Sequence, residues 1–119
     1  MMALGGAVGA IARYQLAAMI QARIPAGFPW GTFIVNITGC LVMGIATTLL
    51  TERLVVSPNW RFLIPIGFIG AYTTFSTFEF ETFRAVSEGS WMIGGANVVG
   101  SVLAGYAALW AGVVLARAL

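Results

Sequence analysis

The 28 residues GSWMIGGANVVGSVLAGYAALWAGVVLA, from Gly89 to Ala116, contain no charged side chain. Residues 24–51 and 62–78 are also free of charge, and residues 1–21 carry only Arg13. A helix needs about 20 mainly apolar residues to cross the hydrocarbon core of a bilayer. These four stretches predict an all-α membrane protein with four transmembrane helices, at about residues 2–21, 30–50, 58–83 and 91–116.

The composition supports a lipid environment. Of the 119 residues, 60% are hydrophobic and 8% are charged, whereas ordinary soluble domains carry about 25% charged residues. The four predicted helices fill the chain, so residues 1–119 form a single transmembrane domain with no room for another. No basic segment precedes the first apolar stretch, and we therefore expect no signal peptide.

Turn signals separate the predicted helices. Pro25, Gly27 and Pro29 lie in the first loop, which we place at residues 22–29. Ser57 followed by Pro58 is typical of a helix N-cap and first helical position, so the third helix should begin there.

The third helix is the irregular one. Pro65, Gly67 and Gly70 precede Thr73 and Thr74, and we expect the helix to break between Gly70 and Thr74. Backbone carbonyls left without partners in a membrane need protein, water or an ion, so a broken span often marks an ion site. A simple proline kink explains the same spacing equally well.

Arginine positions give almost no preferred orientation. One side of the predicted bundle holds Arg53, Arg61 and Arg117, and the other holds Arg23 and Arg84. Since arginine and lysine bias normally sets orientation, such a chain can insert either way round. Two oppositely inserted copies would form an antiparallel homodimer, and four short helices enclose too little volume to surround a polar path alone.

The residue types exclude most enzyme chemistry. The chain has no histidine, lysine or aspartate, so common general bases and metal ligands are missing. Its single cysteine, Cys40, lies in an apolar stretch and is interpreted as a small buried hydrophobe. The few arginines are scattered, so no nucleic-acid partner is implied. We therefore do not expect an enzyme.

Uncharged hydrogen-bond donors are the polar groups that remain inside the predicted helices. They are Asn36, Thr73, Thr74, Ser76, Thr77, Asn97 and Ser101. Asn97 and Ser101 are four residues apart and therefore share a helix face. Each of the listed residues, taken alone, is best explained by a hydrogen bond that it forms between helices. Together they suit a small anion, because N–H and O–H dipoles can replace water without trapping the ion as a cation would.

Two phenylalanines and one arginine accompany these donors. Phe75 and Phe78 share a helix face, and their positive ring edges could face an anion. The alternative, which is the usual role of two such phenylalanines, is aromatic packing at the interface between helices. Arg13 lies mid-helix, where it either lines an anion-attracting vestibule, snorkels to the interface, or pairs with a carboxylate. Glu81 shares a face with Thr77 and lies either at a pore mouth or at a solvated helix end.

Three motifs carry a resemblance to a known family. They are GGAVGAIARY at residues 5–14, WGTFIVNITG at 30–39 and GAYTTFSTF at 70–78, and the last is the most specific. With them the chain resembles the small dual-topology fluoride channels of bacteria, often called the CrcB or Fluc family. Ala71 and Phe33 depart from the commonest pattern, in which glycine and leucine are frequent.

The resemblance implies a fluoride channel in the bacterial inner membrane that passively exports fluoride. It implies an antiparallel homodimer with two pathways along the subunit interface. The fluoride pathway would then include Asn36, Phe75, Phe78, Ser76, Thr77 and Ser101, together with Arg13, whose role is less defined. The carbonyls of Gly70 and Thr73 from both copies would hold a central structural Na⁺ that is not transported.

Two other classes of protein share some of these features. A small multidrug antiporter also has four helices and dual topology, but it needs a membrane-embedded carboxylate on the first helix, where this chain has Arg13 and no acid. A non-transporting assembly subunit would use the same polar residues only to bind partner helices.

Overall fold

A computed structural model describes residues 1–24, 27–54 and 56–119, and over these residues the regular secondary structure is all helical. Three helices are long and apolar enough to cross a membrane. They are α1 (Met2–Arg23), α2 (Trp30–Thr48, extended by a π-helical turn at Leu49–Arg53) and α6 (Trp91–Ala118). The molecule is 51 Å long, which exceeds the roughly 40–45 Å thickness of a bilayer with its headgroups.

The segment between α2 and α6 is an interrupted helix. It consists of α3 (Asn59–Arg61), a π-helical segment (Phe62–Ile69), α4 (Gly70–Tyr72) and α5 (Ser76–Ser87). Pro65 lies inside the π-helical segment, where its missing N–H favours a shifted hydrogen-bond pattern. After Tyr72 the chain leaves the helix, because Thr73 has an extended backbone with φ −86° and ψ 156°.

Several helix ends differ from the sequence prediction. α1 continues to Arg23, two residues beyond the predicted end at Gln21. Pro25, which the sequence places in the first loop, lies outside the described residues. Ser57 was predicted as the N-cap of the third helix, but Pro58 takes that position. The Ser57 hydroxyl instead accepts a 3.3 Å bond from the amide of Asn59, because Pro58 forms a turn before helical hydrogen bonding starts.

Glycines allow the helices to approach closely. A Cβ at Gly5 or Gly9 would overlap with backbone carbonyls of the π-helical segment, against which α1 packs. Gly44 on α2 and Gly112 on α6 meet the opposite backbone in the same way, and α2 and α6 form the most extensive helix pair. These glycines therefore bring the helix backbones together.

An ion pair joins the ends of α2 and α6. Arg117 near the end of α6 donates two hydrogen bonds, of 2.9 and 3.1 Å, to the carboxylate of Glu52 after α2. These two helix ends therefore lie on the same side, as the sequence predicted.

Large apolar side chains of α6 face outward, among them Leu103, Tyr106 and Trp110, so this face contacts lipid or another protein rather than water.

Candidate functional site

The side chain of Asn36 is hydrogen-bonded to the interruption between α4 and α5. Its Nδ2 donates to the carbonyl of Thr74 at 3.0 Å, and its Oδ1 accepts from the amide of Thr74 at 2.8 Å. An amide side chain can pair with both backbone polar groups of one residue because it carries a donor and an acceptor. Asn36 therefore replaces the helical partners of Thr74 and holds the extended backbone to α2.

The same interruption diverts the usual partners of two carbonyls. In a continuous helix the amides of Thr74 and Thr77 would donate to the carbonyls four residues earlier, those of Gly70 and Thr73. Here the Thr74 amide donates to Asn36, and the Thr77 amide donates to the hydroxyl of Thr74 at 3.3 Å. The carbonyls of Gly70 and Thr73 thus lose their helical donors, and Gly70 is exposed on the surface of the chain.

Arg13 reaches the end of α4 from α1. Its Nε donates a 3.2 Å hydrogen bond to the carbonyl of Ala71. Across the described part of the chain, Arg13 has no carboxylate within ion-pair distance. One of its five N–H groups is therefore committed to the interruption, which leaves the others available to the cavity that Arg13 lines.

Four predicted pathway residues lie around one cavity of about 400 Å³, next to the interruption. They are Asn36, Phe75, Phe78 and Ser101. The rings of Phe75 and Phe78 are 5.8 Å apart and tilted by 52°. Phe78 is 6% exposed and Phe75 is 74% exposed, so one ring belongs to the interior of the chain and the other projects from its surface.

Two more predicted residues line a neighbouring cavity of about 370 Å³, which shares Thr74 with the first. They are Arg13 and Thr77, and Glu81 lines the same cavity. Ser76 was predicted in the same group, but it is exposed and lies outside the described linings of both cavities. The structure therefore brings six of the seven predicted pathway residues to two adjoining cavities.

A separate polar network joins α5 to α6. The Asn97 amide donates to the Thr82 hydroxyl at 2.9 Å, and the Ser101 hydroxyl donates to Asn97 Oδ1 at 3.2 Å. The predicted shared face of Asn97 and Ser101 is thus confirmed. Thr82 was missed by the sequence analysis, because its partner lies on another helix and no spacing along the chain indicates it.

Comparison with known proteins assigns the family. Residues 1–113 match the family model described as CrcB-like protein, Camphor Resistance (CrcB). The chain belongs to the CrcB family. Because the match ends at residue 113, it includes the interruption and both cavities but excludes Arg117.

Several curated proteins are similar to this chain over nearly its whole length. A protein of Solibacter usitatus named fluoride-specific ion channel FluC is 56% identical over 117 residues, which are 98% of this chain and 96% of the relative. One of the same name from Acidobacterium capsulatum is 49% identical over 113 residues, 95% of this chain and 90% of the relative. FluC 1 of Streptomyces avermitilis is 46% identical over 115 residues, 97% and 92% of the two chains.

Proposed function

We propose that this chain forms a fluoride-selective ion channel and has no enzymatic activity. The observation that carries the proposal is the cavity beside the interrupted helix, where Asn36, Phe75, Phe78 and Ser101 meet. The names of relatives up to 56% identical, fluoride-specific ion channel FluC, identify the ion.

The residues around the cavity provide dipoles rather than full charges. An amide, hydroxyls and aromatic ring edges can each interact with an anion that has lost part of its water shell. Arg13 supplies a positive charge in the adjoining cavity, so it attracts anions while its hydrogen bond to Ala71 keeps it at a fixed position. An ion handled by dipoles binds strongly enough to enter and weakly enough to leave.

The interrupted segment is proposed to be the fourth membrane crossing, broken at Thr73, with a structural Na⁺ beside the break. Hard cations prefer oxygen ligands, including backbone carbonyls. The carbonyls of Gly70 and Thr73 suit this role because their helical donors are diverted to other acceptors. Two carbonyls are too few for one ion, so a second copy of the chain would supply the others.

The second copy is proposed to insert in the opposite orientation, which gives an antiparallel homodimer with two fluoride pathways. The near balance of arginines on the two sides permits both orientations. Exposure of Phe75 and Gly70 supports a partner at this surface, because a pathway aromatic and an ion-binding carbonyl would otherwise face lipid. In the plasma membrane of a bacterium such a channel would export fluoride passively.

Fluoride efflux from liposomes tests the function. The purified protein is reconstituted, and efflux is followed with a fluoride electrode, with chloride efflux as the comparison. We expect rapid fluoride efflux and no chloride efflux. Asn36→Asp should slow efflux because it repels the anion, and Phe78→Ile should slow it because it removes a ring edge.

Matched variants separate these effects from general damage. Asn59→Asp adds the same charge at an exposed interfacial position, and Phe83→Ile makes the same change at a 65% exposed ring of α5. Both should conduct like the wild type. Proton-coupled cation flux would favour an antiporter instead, and the absence of any flux would favour an assembly subunit.

Sodium dependence tests the proposed structural ion separately. Protein purified in potassium or choline salts should unfold at a lower temperature than protein purified in sodium salts, because an ion that binds only the folded dimer stabilises it. Equal unfolding temperatures in all three cations would reject the sodium site while leaving the fluoride pathway open.

A further inference from the structure

The residues on either side of Thr73 are both hydrogen-bonded to α2. Thr74, which follows Thr73, pairs with the side chain of Asn36. Tyr72, which precedes it, places its hydroxyl 3.0 Å from the hydroxyl of Thr38. The extended residue of the interruption is therefore held to one helix from both sides.

The Tyr72 hydroxyl is the donor in its bond to Thr38. The Thr38 hydroxyl has a single proton, and it lies 2.8 Å from the carbonyl of Ile34 and 3.1 Å from that of Val35 on the preceding turn of α2. A threonine hydroxyl within a helix commonly donates to such a carbonyl. Its oxygen can still accept, so the proton between the two side chains comes from Tyr72.

Packing alone does not fix the position of the Tyr72 ring. The ring stacks on that of Phe68, with centroids 5.7 Å apart and planes inclined by 12°. A cavity of about 190 Å³ borders the ring and is also lined by Thr38 and Val42. Close packing normally holds a side chain in place, but this space would let the ring move. The hydrogen bond to Thr38 therefore determines where the ring lies.

Gly39 lets the extended residue lie directly against α2. A Cβ at Gly39 would overlap with the methyl group of Thr73 and would lie 3.2 Å from the ring of Tyr72. The consecutive residues 72–74 of the interruption thus contact residues 36–39 of α2. This short surface of α2 determines the path of the backbone where the helix breaks.

The Thr74 amide determines the direction of the Thr73 carbonyl. Over the described residues no peptide bond is cis, and in a trans peptide the N–H and the C=O point in opposite directions. The Thr74 N–H points to Asn36 on α2 at 2.8 Å. The Thr73 carbonyl therefore points away from Asn36, so it does not compete for the partners that α2 provides.

We propose that Tyr72 is a positioning residue for the Thr73 carbonyl, and that its hydrogen bond to Thr38 raises the affinity of the protein for Na⁺. This inference rests on the proposed function, in which that carbonyl binds a structural Na⁺. Asn36 holds the peptide unit that contains the carbonyl, and Tyr72 holds the residue before it. Without the Tyr72 bond the end of α4 can shift along α2, and the carbonyl shifts with it.

Sodium titration of the unfolding temperature tests this role. Tyr72→Phe keeps the aromatic ring but removes the donor, and Thr38 retains its helical acceptors. The sodium dissociation constant, obtained from the rise of the unfolding temperature with sodium concentration, should increase roughly threefold or more. In choline salts the unfolding temperature should change little. A merely structural role would instead lower the unfolding temperature equally in both salts and leave the dissociation constant unchanged.

Conservative and matched variants identify the bond that is responsible. Thr38→Ser keeps the accepting hydroxyl, and Tyr106→Phe removes a phenol at a 74% exposed position on α6, so both should keep the wild-type dissociation constant. Thr38→Val removes the acceptor and should raise the constant about as much as Tyr72→Phe. The double variant should raise it no further, because both substitutions break the same bond.

Failure of this role is distinguishable from failure of the proposed function. If the wild type shows no fluoride efflux from liposomes, the proposed channel function is wrong. If sodium does not stabilise the wild type, the structural ion and the role of Tyr72 are both rejected. If sodium stabilises the wild type and Tyr72→Phe equally, or if the effects of Tyr72→Phe and Thr38→Val are additive, the ion stands and the positioning role of Tyr72 is wrong.

Discussion

Two asparagines on apolar helices perform different tasks in this molecule. Asn36 is half-buried, lines a cavity and forms both of its hydrogen bonds with the backbone of Thr74. Asn97 is 2% exposed and forms its hydrogen bonds with the side chains of Thr82 and Ser101. The same residue type therefore stabilises an irregular backbone in one region and the contact between two regular helices in the other.

The two asparagines differ in whether the groups that they bind have other hydrogen-bond partners. The N–H and C=O of Thr74 have left the helix, so they depend on Asn36 for partners in a region without bulk water. Thr82 also donates to the carbonyl of Phe78, and Ser101 lies on a continuous helix, where its hydroxyl can turn to a backbone carbonyl. Loss of Asn36 should therefore cost much more than loss of Asn97.

Asn36→Leu has the largest expected effect. Leucine has a similar size but no donor or acceptor, so both groups of Thr74 become unsatisfied, at about 1–3 kcal/mol each. The two penalties together, about 2–6 kcal/mol, correspond to a loss of fluoride efflux of at least about 30-fold. Liposome efflux measures the loss, and an unchanged elution volume in detergent shows that the protein still folds. Efflux within threefold of the wild type would show that the backbone of Thr74 does not depend on Asn36.

Arg13→Gln should have an intermediate effect, because Arg13 holds the same interruption from the opposite helix. Its hydrogen bond to the Ala71 carbonyl is charge-assisted, and such bonds contribute about 1.5–3 kcal/mol. We expect fluoride efflux to fall roughly tenfold or more. The side chain also lines a cavity, so this variant alone does not distinguish a structural role from attraction of the anion.

Arg13→Lys separates the two roles of Arg13. Lysine keeps the positive charge but lacks the planar guanidinium that places Nε at the Ala71 carbonyl. If attraction of the anion dominates, Arg13→Lys should restore wild-type efflux. If support of the interruption dominates, as the hydrogen bond indicates, Arg13→Lys should remain impaired and its efflux should change little with salt concentration.

The sequence predicted the features that depend on one helix at a time. Three of the four predicted spans match long helices and follow from stretches with little charge. The shared face of Asn97 and Ser101 follows from helical periodicity. These features need only the geometry of a single helix, which local residue order determines.

The features that the sequence left open depend on contacts between distant segments. Nothing in the order of residues shows that Asn36 pairs with a backbone 38 residues later or that Arg13 reaches Ala71. Thr82 was missed for the same reason. Pro65 was identified as a helix disturbance, but a proline removes one hydrogen bond and does not determine whether the helix kinks or becomes π-helical.

Among the substitutions at Asn36, Arg13 and Asn97, Asn97→Leu has the smallest expected effect. Hydrogen bonds between membrane helices contribute on average about 0.6 kcal/mol, and Thr82 and Ser101 retain other acceptors. Fluoride efflux should therefore fall by no more than about threefold. The unfolding temperature in detergent should fall measurably, and Thr82→Val should lower it at least as much, because it leaves the buried Asn97 amide without its acceptor. A loss of efflux as large as that of Asn36→Leu would mean that both asparagines serve the ion path directly, because Asn97 orients the Ser101 hydroxyl that lines the cavity.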